Sequence, residues 1–166
     1  MSENIVDGLW QAWLLTADPR IPGMLVSFAQ YLENHGWIGP KHFAQAGHSW
    51  KQGCVDRGSA IAWYWSSSVA NDEKLIEIQD SEGWYSDLHS VELSLAVAAG
   101  MYFTPDDDLH AALGKRLSSI ERGMTRECAQ TAKPPRLFNW NNRGTAAYRW
   151  LAQNRYQGTL DDRTQR

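Results

Sequence analysis

The chain has 166 residues, 43% of them hydrophobic and 21% charged, with nine Trp, two Cys and a formal net charge of −3. That length fits one globular domain, and the apolar fraction is higher than a disordered chain carries. No apolar run approaches the roughly 18 residues of a membrane-spanning helix. Cysteines at 54 and 128 make no disulfide framework, and Met1-Ser2-Glu3-Asn4 lacks the basic start and apolar core of a secretory signal. The expectation is one soluble, cytoplasmic domain over residues 1–160 with no membrane partner, ended by a frayed polar tail at 161–166.

Charge is distributed unevenly. Residues 1–114 hold 5 Lys and Arg against 15 Asp and Glu, whereas residues 115–166 hold 11 against 4. The basic third is mostly arginine, whose planar fork suits carboxylate or phosphate. Either this end lies against the acidic body and the two fields cancel, or it steers an anionic partner.

Ile5, Leu9 and Trp13 recur at spacings of four with Leu14 beside them, predicting an amphipathic first helix over 5–17 with Ser2 as its N-cap. A second helix is expected to open at Pro22, whose fixed φ suits a first helical position. It would bury Leu25, Phe28, Ala29 and Leu32 and stop at Gly36. A short third helix from Pro40 would carry Phe43, Ala44 and Trp50. A fourth, capped by Asp56, would bury Ile61 and Trp65 with Trp63 or Tyr64. Leu75-Ile76-Glu77-Ile78 reads equally as a helix end or a short strand.

From Tyr85 to Phe103 the chain is apolar nearly all round a helix: Leu88, Val91, Leu95, Ala98, Ala99 and Tyr102 on a broad face, Leu93 and Val97 on the other. Such a helix belongs at the centre of a domain. The next helix is signalled by Thr104 as N-cap, Pro105 at the first position and Asp106, Asp107 and Asp108 in the first turn. Leu109, Leu113, Leu117, Ile120 and Met124 share its inner face, and Lys115, Arg122 and Arg126 its outer one. Lys133-Pro134-Pro135 breaks the helix into an extended loop through Phe138 and Trp140. A last helix over 142–157 is expected to bury Ala146, Ala147, Trp150 and Leu151 and to stop at Gly158. The fold predicted is all-α, a single compact domain of six or seven short helices. The alternative is α+β with a small hairpin near residues 74–80.

Reactive side chains concentrate at His42, His48, Cys54 and Asp56. On a helix His42 and His48 would lie about 240° apart and could not share one metal ion. A nucleophilic Cys54 would need His48 as base and an oxyanion donor that nothing in the sequence supplies. An enzyme built on His48, Cys54 and Asp56 is therefore the weakest of three hypotheses, and structural roles are the stronger reading. Asp106 to Asp108 lack the alternating ligands and glycine of a calcium loop. His89 and His110, beside acids at helix starts, read as solvated surface. Gly36-Trp37-Ile38-Gly39-Pro40 has the wrong spacing for a phosphate loop. No catalytic set, metal site or cofactor is expected.

The most specific pattern is the interleaving of Arg136, Phe138, Trp140, Arg143, Tyr148, Arg149, Trp150, Arg155 and Tyr156. Trp, Tyr and Arg dominate protein-interface hot spots, and the same mixture builds stacking platforms for single-stranded nucleic acid. The leading expectation is a non-catalytic, cytosolic protein-binding module of the adaptor, inhibitor or immunity type. Its contact residues would be Arg136, Trp140, Arg143 and Arg149, with Asp72, Glu73, Glu77 and Asp80 as a second candidate surface. The alternative is a nucleic-acid-associated protein using the same basic, aromatic third.

Overall fold

A computed structural model describes residues 2–37, 93–123 and 145–158. Five helices and no strand occur among them: α1 Ser2–Thr16, α2 Arg20–His35, α3 Ser94–Phe103, α4 Asp107–Gly123 and α5 Thr145–Gln153. The described architecture is all-α, as the sequence predicts. The expected third and fourth helices, the hairpin alternative near 74–80, the loop through Trp140 and the polar tail lie outside the described residues.

Helix α3 is the hub. All ten of its residues are buried, and each of the other four helices packs against it. A segment without a polar face can lose water contact on every side only at the centre of the bundle. The tightest approach is to α2, where Gly100 faces Ala29: a Cβ at Gly100 would overlap that of Ala29 and come within 3.0 Å of Leu113 Cδ1. Small residues on both helices let the two backbones come this close, which brings α4 in as well.

Around this hub one expected face and two expected helix starts are corrected. On α1 the buried residues are Val6 and Trp10, with Leu9 and Trp13 half-buried, while Ile5 and Leu14 are exposed. The helix is turned by about one residue from the Ile5–Leu9–Trp13 face. The cause is aromatic packing: Trp10 and Trp13 stack at 5.3 Å, and Trp13 meets Phe103 edge-on at 4.9 Å. Turning Trp10 inward buries a larger apolar surface than Ile5 offers, and the ring contacts add to that gain.

Helix α2 begins at Arg20, two residues before the expected Pro22 start. The turn before it supplies the reason. The Arg20 N–H donates to the Asp18 carboxylate at 3.0 Å, and the Arg20 guanidinium folds back onto the same carboxylate at 2.6 Å. Those bonds, the side-chain one first, hold the Asp18 carboxyl down to about 2. Gly36 ends the helix as expected, its N–H donating to the Leu32 carbonyl at 2.7 Å.

Helix α4 begins two residues later than Thr104–Pro105 suggests. Asp106 is the cap, its Oδ1 accepting the N–H groups of Asp108 at 2.8 Å and Leu109 at 3.1 Å. Thr104 is buried and accepts the Asp106 N–H at 3.2 Å, setting up that cap from two residues earlier. A carboxylate that satisfies two first-turn donors, at the positive end of the dipole, displaces a hydroxyl that could satisfy one. Of its predicted inner face, Leu113, Leu117 and Ile120 are buried and Leu109 is half-buried, while Met124 lies outside the described residues. Its Arg116 forks onto Glu33 of α2 at 2.9 Å for both bonds and lies 4.8 Å over the Trp37 ring.

Candidate interaction surface

The last described helix presents two unlike faces. Tyr148 and Leu151 are wholly buried, whereas Trp150 is 51% exposed and Arg149 and Gln153 are exposed beside it. This reverses the expectation that Trp150 fills the core. The larger indole lies on the flank, its ring tilted against Tyr102 at 5.4 Å. The phenol takes the interior because its polar tip can reach a partner there: the Tyr148 hydroxyl donates to Glu121 Oε1 at 3.3 Å. A buried hydroxyl without such a bond would carry a desolvation cost that Trp150 on the outside avoids.

Arg149 joins the same hydroxyl from the solvent side, its Nε donating to Tyr148 Oη at 3.4 Å. That bond first, and the charge of Glu121 to a smaller degree, raise the guanidinium above its already high pKa. A guanidinium and a phenol on α5 and a carboxylate on α4 thus form one chain across a groove of about 360 Å³ between the two helices. Its floor is apolar: Met101 of α3, Leu117 of α4 and Ala152 of α5.

On the other flank of Trp150, residues 154–158 cross the end of α3. The Tyr156 N–H donates to the Tyr102 carbonyl at 2.8 Å, and the Tyr156 ring lies edge-on to Trp13 at 5.7 Å. Arg155 pairs with Asp107 at the start of α4 at 2.7 Å. The exposed indole is therefore the outermost ring of a cluster that runs inward through Tyr102 and Phe103 to Trp10.

His110 stands close to this strap and is half-buried rather than freely solvated. Burial first, then the charge of Arg155, lower its pKa from the ordinary 6.5, while Asp107 opposes the shift. The unfolded chain therefore takes up the proton before the folded one. The stability held by neutral His110 is complete above pH 6.5 and is lost as pH falls through the folded value. In urea unfolding at about pH 8 and about pH 5, His110→Gln is expected to lose less stability on acidification than the native chain. An equal loss in both would show that His110 does not carry this linkage.

Of the residues expected to form the contact surface, Arg149 alone falls among the described residues, and it is exposed as a contact residue must be. Arg136, Trp140 and Arg143 lie outside them, as do the acidic candidates Asp72, Glu73, Glu77 and Asp80 and the cluster of His42, His48, Cys54 and Asp56. Glu121 and Gly114, which shape the groove, were not expected from the sequence as site residues, and Tyr148 stood in the arginine- and aromatic-rich pattern without being named as a contact residue. Among the described residues no group of three or more His, Cys, Asp or Glu could hold a metal ion. Nor is any helix there long and apolar enough to cross a membrane. No protein-family model matches this chain, and no curated protein or solved structure shows significant similarity to it. Fold and surface together define an all-α protein that displays an arginine and a tryptophan side by side on a helix anchored from beneath.

Proposed function

We propose that the protein is a non-catalytic binding module that engages another protein through the face carrying Arg149, Gln153 and Trp150, in the manner of an adaptor, inhibitor or immunity protein. The observation that carries this reading is the half-exposed Trp150 beside Arg149 on a helix fixed by the fully buried Tyr148 and Leu151. A large indole left in water forgoes apolar burial that a partner can supply, and the anchored helix loses little freedom on binding. Trp and Arg are also the residues most enriched where interfaces concentrate their energy.

The test is affinity capture from the native host with the tagged chain and with the variant Arg149→Ala, Trp150→Ala, each with and without nuclease. The expected result is one protein recovered in near-equal amount by the native chain, insensitive to nuclease and lost from the variant. Recovery that collapses with nuclease would turn the reading to nucleic acid, where affinity falls steeply with salt. Equal recovery by the variant would remove this face from the interface.

A further inference from the structure

Gly114 lies in the interior of α4, where glycine weakens a helix relative to alanine because it leaves more backbone freedom to be lost on folding. The fold does not require it there. A Cβ at Gly114 would meet one atom, Met101 Cε at 3.5 Å, an ordinary contact, in contrast to the overlap at Gly100. What the missing side chain leaves open is the groove between α4 and α5, which Gly114 lines.

The chemistry along that groove is paired. Glu121 accepts from the Tyr148 hydroxyl at 3.3 Å and Arg149 donates to it at 3.4 Å, so a carboxylate and a guanidinium each stand one hydrogen bond from the same oxygen. A carboxylate entering the groove would be drawn to Arg149 and repelled by Glu121; an ammonium would meet the reverse. A primary amide satisfies both, its carbonyl accepting from Arg149 and its NH₂ donating to Glu121, and it brings no charge to desolvate. The methylenes that carry it would lie on Met101, Leu117 and Ala152.

Resting on the interface reading above, we infer that this groove is the specificity pocket of the surface and takes a primary amide side chain, Gln or Asn, from the partner protein. Gly114 keeps the pocket open. Glu121 selects amide over carboxylate, and the buried Tyr148 is a positioning residue that holds Glu121 and Arg149 at one spacing.

The experiment is a titration of the full chain with N-acetylglutamine methylamide and with N-acetylglutamate methylamide, followed through the backbone amide NMR signals of Ser118, Glu121, Arg149 and Gln153. The native chain is expected to prefer the glutamine compound by about tenfold. Glu121→Gln should abolish that preference. Gly114→Ala should weaken binding of the glutamine compound by about tenfold without lowering the urea midpoint, because its Cβ narrows the groove over Met101 and favours the helix. Shifts absent from these four signals, equal shifts from both compounds, a preference that survives Glu121→Gln, or full binding by Gly114→Ala would each overturn the inference. A protein partner captured through Trp150 alongside any of those results would leave the interface standing and remove only the pocket.

Discussion

Gly100→Ala is expected to destabilise the protein by about 3 kcal/mol, although alanine is the better helix former by about 1 kcal/mol. The steric term wins because the added Cβ would overlap the Ala29 Cβ, which has no rotatable end that could swing away, and would also crowd Leu113 Cδ1. Relief requires α2 and α3 to move apart, and α3 touches every other described helix. Ala29→Gly in the same chain should restore much of the loss, since it removes the atom met first. Urea midpoints of the two single variants and the double variant measure this. A Gly100→Ala chain as stable as the native one would show that α2 and α3 do not cross this closely.

The second large effect separates two neighbours. Tyr148→Ala is expected to cost about 4 kcal/mol, from lost burial, the cavity left behind and the loss of the hydroxyl that Glu121 accepts from. Trp150→Ala, the removal of a larger side chain, should cost about 1 kcal/mol, because half of the indole is already in water and its ring contact is with Tyr102. Thermal or urea unfolding decides the order. A Trp150→Ala chain less stable than Tyr148→Ala would place the indole in the core after all.

Those two residues also show how far the sequence could be read. Ala147, Tyr148, Leu151 and Ala152 make one apolar helix face, and Ala146, Ala147, Trp150 and Leu151 make another turned by part of a revolution. Periodicity allows both. What chooses between them is where a phenol can end on Glu121, a residue 27 positions away, and no local pattern carries that information. The same holds on α1, where the rings of α3 select Trp10 and Val6 over Ile5. The signals that did transfer were those needing no partner: the all-apolar run of α3, the inner stripe of α4 and the glycine stop after α2. Asp106 was visible as a helix-start residue, but its displacement of Thr104 as the cap rests on one carboxylate oxygen reaching both the Asp108 and the Leu109 N–H groups, which only the folded turn shows. At the surface, Arg149 was legible as one cation in an arginine-rich segment. The groove beside it was not, because Gly114, Glu121 and Tyr148 meet only when α4 and α5 pack on Met101.

The measurement that bears most directly on the interface is the dissociation constant of the captured partner for the native chain and for Trp150→Ala, with the unfolding midpoint of each chain taken on the same samples. An interface centred on the exposed indole predicts binding weakened by about 2 kcal/mol, near 30-fold in Kd, at little cost in stability. An unchanged Kd for a folded Trp150→Ala chain would contradict it.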